Sequence, residues 1–327
     1  MRVVVIGGGF AGLACSVRLS KLGHQVTLLE QSRQLGGAVS WLEQDGYRWD
    51  AGAAHTLLPA VIRDLFRKSG RPLERELDLV PLEVIREHRF ADGTSLRLTG
   101  GSRAAQKAAF EGLAPGLGQA WTSYVDALGR DWELLRRDYL ERPWDPGLAH
   151  PGSTERLASR ETMHHRLRQA LPDDRARLVA GHPLLVDGHD LHRVPAWLGV
   201  VSYLEQKFGA WTVPGGLAAL SDALTARLAT RRVTVQTETR ALDVVVRQGR
   251  AVAVATSAGE VDADAVVCAV DPRTLPTLRD QVARTTSTRP PALVHLGLVG
   301  DLPHLPAEVV LHGAGPRVRT RHRDPEP

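Results

Sequence analysis

Cysteine is almost missing: Cys15 and Cys268 are the two in 327 residues. Their number and separation exclude a disulfide framework or a cysteine-ligated metal cluster. Each lies in an apolar stretch, where a small thiol reads as core filling in a reducing, cytoplasmic setting. No run of about 18 apolar residues occurs, which excludes a membrane-spanning helix by sequence pattern. Neither sign of charge dominates, because 41 Lys and Arg stand against 37 Asp and Glu. Much of the small excess sits at the end of the chain, on Arg317, Arg319, Arg321 and Arg323. Elsewhere Arg and acid are interleaved, so no nucleic-acid footprint is expected. Gly-x-Ser-x-Gly and His-Glu-x-x-His are also absent, which removes support for a serine-hydrolase elbow or a zincin site. What is present is 43% hydrophobic and 24% charged residues, enough for two globular domains or one domain with a large insertion.

The opening residues carry the sharpest pattern. Met1-Arg2 and the apolar run to Cys15 resemble a short signal peptide ending in a lipoprotein-like cysteine. Three consecutive glycines break that run, and the apolar pattern resumes beyond it, so another reading explains more. Val3 to Ile6 is a β-branched run suited to a strand buried on both faces. It leads into Gly7-Gly8-Gly9-Phe10-Ala11-Gly12, a G-x-G-x-x-G in which Gly7 allows the tight turn, Gly9 admits a pyrophosphate to the backbone, and Gly12 lets the helix pack on the strand. A helix over 11–22 offers its N-terminal N–H groups to phosphate, with Gly23 just past its end. A strand over 25–29 then ends at Glu30, 18 residues after Gly12, where an acid binds ribose hydroxyls and repels the 2′-phosphate of NADP. Strand, glycines, helix, strand and acid in this order predict dinucleotide binding.

Further along come Gln31, the pair Gly36-Gly37, strand-like runs over 38–42 and 47–49 joined by the Asp45-Gly46 turn, and Asp50-Ala51-Gly52-Ala53-Ala54-His55. Residues 208–216 read Phe-Gly-Ala-Trp-Thr-Val-Pro-Gly-Gly. A helix over 217–228 follows, with Leu217, Leu220, Leu224 and Leu228 on one face, and then strands over 233–237, 241–247, 251–256 and 261–270. With these residues the chain resembles the FAD-dependent phytoene desaturase and amine oxidase superfamily, most of all its bacterial carotenoid desaturase-type members. The likeness covers about residues 1–98 and 196–300. It implies an α/β fold: a Rossmann-type FAD-binding domain built from discontinuous segments, with an inserted helical or mixed substrate cap. The expected divisions are 1–98 and 196–280 for FAD, 99–195 for the cap, and 281–327 for the start of a substrate segment and a basic tail, apparently truncated. The resemblance implies FAD contacts from Gly7, Gly9, Phe10, Ala11, Gly12, Glu30, Gln31, Gly36, Gly37, Asp50 and Gly52, and from Thr239 near the adenine. It implies substrate-side positions at His55, Trp211, Gly215 and Gly216. No catalytic acid or base and no metal is assigned.

Ala38 stands where many members carry Arg. The family's closing Gly-Asp strand and small-residue helix are not found in this sequence. The implied activity is hydride transfer to flavin from a hydrophobic isoprenoid or carotenoid. A truncated, catalytically inactive nucleotide-binding protein is the alternative of a different class. An amine or porphyrinogen-type flavin oxidase is the third, and 5% aromatic residues offer little for an amine-binding cage.

The middle of the chain reads as helical from about residue 102 to 196, with Pro143, Pro146 and Pro151 marking a loop. His164, His165, His182, His189 and His192 invite a metal reading, but partner ligands at metal spacing are missing, and a hydrogen-bonded or solvated set is expected. The Arg-rich stretch 130–142 reads as a solvated face, with contact to anionic lipid at a membrane surface as the functional alternative.

Overall fold

A computed structural model describes residues 1–282, 288, 291–300 and 305–313. The arginines of the basic tail lie outside the described residues. Along the chain run β1 (Arg2–Ile6), α1 (Phe10–Lys21), β2 (Gln25–Leu29), β3 (Trp41–Gln44), β4 (Tyr47–Asp50), α2 (Pro59–Ser69) and β5 (Val80–Pro81). Then follow β6 (Val84–Arg89), β7 (Ser95–Thr99), α3 (Arg103–Leu113), α4 (Leu117–Leu135), α5 (Pro151–Ala158), α6 (Met163–Ala170), α7 (Asp174–Val186) and α8 (Val200–Phe208). The last elements are β8 (Trp211–Thr212), α9 (Ala219–Thr230), β9 (Thr234–Gln236), β10 (Ala241–Arg247), β11 (Arg250–Thr256), β12 (Gly259–Asp262), β13 (Ala265–Cys268) and β14 (Val309–Leu311). They form two compact units, one of residues 1–82 and 210–300, the other of 83–209 and 301–327.

The first unit is built on a parallel sheet of order β13-β1-β2-β9. Its central strand shows why a β-branched run is needed. Val3 and Val5 enter a core with Leu13 and Val17 of α1 and Leu220, Leu224 and Leu228 of α9, while Val4 and Ile6 face Val244 and Val254 of the β10-β11-β12 sheet. Both faces are covered from Val3 to Ile6, so none of these four positions tolerates a polar residue. The single strand expected over 261–270 is two. After β12, Ala263 N–H donates to Val252 O and Asp264 N–H to Arg2 O, so the chain changes sheets at this point. The strand expected over 38–42 starts only at Trp41, because residues 36–40 are a turn closed by Val39 N–H to Gly36 O and by Ser40 Oγ to Gly37 O.

The second unit holds the sheet β14-β6-β7 with α3, α4, α6 and α7 around one core. Helices dominate from 103 onward as expected. The strands β6 and β7, expected with the first segment, sit in this unit because Phe90, Leu96 and Leu98 pack among Phe110, Trp121 and Leu128. Ser102 caps α3 by accepting from Ala105 N–H, and the buried Gln106 accepts from Trp121 Nε1 at 2.9 Å.

Candidate dinucleotide site

At the carboxyl end of β1 the chain turns through Gly7, whose φ of +102° is open to glycine and strained for any other residue. Gly12 sits on the first turn of α1, where a Cβ would collide with the Gly7 carbonyl oxygen. Gly9 is different. It caps α1 with no side-chain bond, its φ of −67° is ordinary, and a Cβ there would meet nothing within 4 Å. The start of α1 thus has no side-chain cap and borders open space at Gly9, the arrangement that receives a phosphate. The open cradle at Gly9 fits a diphosphate, with Phe10 half-buried and Ala11 exposed on the same turn.

Glu30 closes this turn from β2. Its Oε2 accepts from Gly8 N–H at 2.7 Å, and its Oε1 accepts from Ser32 N–H and Oγ, both at 2.8 Å. Three of about four lone-pair positions are filled, which leaves room for a ligand hydroxyl. Gln31 is exposed beside it. Thr239 is buried, and its N–H donates to Glu30 O at 2.8 Å, so the residue expected near an adenine does lie against the acid. Gly36 N–H donates to Gly8 O at 2.8 Å, and a Cβ on Gly37 would come within 3.0 Å of Gly9 Cα. The two glycine elements are thus one surface.

The hairpin β3–β4 extends that surface. Asp50 has both carboxylate oxygens occupied, accepting from Leu217 N–H at 3.0 Å and Ala218 N–H at 2.8 Å. It is thereby a cap for the turn that precedes α9. That turn displaces the start of the helix from the expected residue 217 to Ala219. Gly216 packs on the Trp41 ring, and Trp41 Nε1 donates to Asp222 at 2.6 Å. A Cβ on Gly215 would meet nothing within 4 Å, while one on Gly52 would lie 2.7 Å from Ala38 O. His55 is half-buried and is followed by Thr56, which exchanges two backbone hydrogen bonds with Trp211, at 2.8 and 2.9 Å. Arg63 lies over the Trp211 ring at 4.9 Å.

Every residue expected at the cofactor or substrate side thus falls in the first unit: at the ends of β1 and β2, in and around the hairpin, on β8 and in the turn before α9, and, for Thr239, just after β9. Ser32, Trp41 and Arg63 were not singled out from the sequence. Ser32 follows the acid by two residues and was legible as its orienting partner. Trp41 and Arg63 carry no local signal. Among the described residues no group of His, Cys, Asp or Glu is arranged to hold a metal.

A parallel sheet entered through a glycine-turned β-α unit, with the Glu30 carboxylate bonded back to Gly8, defines the dinucleotide-binding class of fold. The chain belongs to the flavin-containing amine oxidoreductase family, whose model matches residues 10–301. Among its curated relatives is a phytoene desaturase (neurosporene-forming) of Cereibacter sphaeroides, 30% identical over 265 residues, which cover 80% of this chain and 51% of that one. A 4,4′-diapophytoene desaturase of Staphylococcus aureus is 26% identical over 229 residues, 68% of this chain and 45% of that one. The chain spans about half the length of these relatives. Among solved structures, an oxidoreductase from Methanosarcina mazei superposes with TM-score 0.60 at 17% identity, covering 86% of this chain and 61% of that one. Putrescine oxidase superposes with TM-score 0.57 at 20% identity, covering 84% and 59%. Both share the fold.

Proposed function

We propose that the chain binds FAD and serves an oxidoreductase that desaturates, or otherwise oxidises, a hydrophobic isoprenoid or carotenoid. The open Gly9 cradle at the uncapped start of α1, beside Glu30, carries the reading. The desaturase names of the relatives support the substrate class. In this reading the backbone at Gly7, Gly9, Phe10, Ala11 and Gly12 receives the diphosphate, and Glu30 with Gln31 takes the ribose hydroxyls. Thr239 borders the adenine, and Gly36 and Gly37 line the approach. Asp50 and Gly52 fix the hairpin beside the cofactor, and His55, Trp211, Gly215 and Gly216 border the substrate side. A bound flavin supplies the hydride acceptance. The protein's own task is to bind, orient and exclude water, and none of these side chains is assigned a proton transfer.

Gly9→Val is the direct test. Its backbone is ordinary and its Cβ space is empty, so the variant folds with a native circular dichroism spectrum, while FAD affinity falls by about a hundredfold or more. A purified chain that stays colourless on adding FAD, or a Gly9→Val variant that binds FAD normally, overturns the reading; the first outcome favours a silent member of the family.

No helix among the described residues is long and apolar enough to cross a membrane. A cytoplasmic protein with peripheral membrane contact completes the proposal. Tyr139, Leu140 and Leu148 are exposed near the end of α4, with Tyr139 edge-on to both Trp144 and Trp197. The arginines here are not free charge: Arg136 pairs with Glu133 and Glu141, and Arg137 and Arg142 pair with the buried Asp138. Contact is thus by apolar insertion more than by attraction to anionic lipid. Cosedimentation with phosphatidylcholine vesicles, little improved by adding phosphatidylglycerol and lost in Leu140→Glu/Leu148→Glu, is the expected result.

A further inference from the structure

The second unit contains a buried polar cluster that the flavin reading does not use. On β6, Arg86 and His88 are both buried, and His88 is 0% exposed. β14 pairs with β6 in parallel, Val309 with Glu87 and Val310 with His88, and it is flanked by Glu308 and His312. The Glu308 carboxylate accepts from Arg86 Nε at 2.9 Å and lies 2.7 Å from His182 Nε2 of α7. Arg86 Nη2 donates to Glu205 of α8 at 2.5 Å. At the far end of the strand, His88 Nδ1 and His312 Nε2 are 2.9 Å apart, with ring planes within 9° and centroids 5.1 Å apart. Nearly parallel rings at that distance meet edge to edge, as an in-plane N–H···N bond requires, and such a bond holds one proton between two neutral rings. His88 Nε2 and Arg86 Nη1 have no hydrogen-bond partner among the described residues.

We propose that the segment Glu308–His312 is a proton-operated latch, docked on β6 while the His88–His312 pair shares a single proton and released when the two imidazoles are protonated in mildly acidic solution. A second proton on the bridge sets two donors against each other, with the Arg86 guanidinium as a further cationic neighbour. Release moves His312 into water and uncovers His88. Burial, followed by the charge of Arg86, pushes His88 down to about 3, and burial also lowers His312. The docked form therefore holds fewer protons than the released form below the ordinary imidazole value of about 6.5, and docking weakens as pH falls from there toward 3. Glu308 does not oppose this. Burial would raise it, but His182 and Arg86 outweigh that and hold it down to about 2, so it stays ionised throughout the window. Glu87 is engaged by Arg89 at 2.6 Å and by Arg97 at 3.7 Å, and these ion pairs do not enter the bridge. The proposal does not rest on the flavin reading.

The latch has two reporters, the backbone bonds from Glu87 N–H to Glu308 O and from His312 N–H to Arg89 O, both 2.9 Å. Hydrogen exchange on the full chain, corrected for intrinsic rates, should show protection at these two amides falling about thirtyfold between pH 7.5 and 5 from the titration of His88, and further from that of His312. The Val254 amide in the β10-β11-β12 sheet of the other unit should change little. His312→Gln keeps a polar side chain and removes one titration, and the fall becomes correspondingly shallower. If this variant is instead unprotected at every pH, nitrogen chemical shifts of His88 in the unaltered chain decide: protonation coinciding with loss of protection supports the latch, and a neutral His88 throughout that loss overturns it. Flat protection in the unaltered chain, an equal fall at Val254, or an undiminished slope in a protected His312→Gln also overturns it.

Discussion

Gly9 and Gly12 stand three residues apart and carry opposite constraints. A methyl group at Gly9 enters open space, whereas one at Gly12 strikes the Gly7 carbonyl. Gly12→Ala is therefore expected to destabilise the chain by about 1–3 kcal/mol through overpacking, measured as a lower urea midpoint. Gly9→Ala should leave that midpoint unchanged within about 0.5 kcal/mol, since nothing in the fold meets the added atom. The glycine spacing was visible in the sequence, but it did not separate the glycine that serves packing from the one that serves a ligand. That distinction depends on what lies across from each Cβ.

At the scale of elements, the helices and strands that follow local periodicity appear where the pattern places them, as with α1, β2, β10 and the leucine face of α9. The departures occur where a distant residue takes over the backbone. Asp50 draws Leu217 and Ala218 into a turn, and the helix expected at 217 begins at Ala219. Asp50→Ala should loosen this turn and cost about 1–2 kcal/mol, as for other lost caps, and Asp50→Asn, which keeps one acceptor, should cost less. Urea denaturation of both variants checks the order. Likewise, residues 261–270 read as one strand, yet they serve two sheets because the backbone at Ala263 and Asp264 is claimed by Val252 and Arg2.

For the whole molecule, a ligand that binds only the folded chain stabilises it by mass action. FAD at about 100 times its dissociation constant should contribute about 2.7 kcal/mol and raise the thermal midpoint by several degrees, and Gly9→Val should remove that shift at the same FAD concentration. Differential scanning calorimetry with and without FAD reads both. An equal shift in the variant would place the ligand elsewhere on the chain.

The sequence by itself determined the β-turn-α unit, the acid at position 30, the α/β class and the helical middle, because each is written in neighbouring residues through backbone conformation and the periods of strand and helix. Tertiary structure alone decided that Asp50 caps a turn more than 160 residues away, that Trp41 fills the space beside Gly216, and that His88 meets His312. Those contacts join side chains with no shared periodicity, and which polar groups are buried together is fixed only when the sheets and helices close around them.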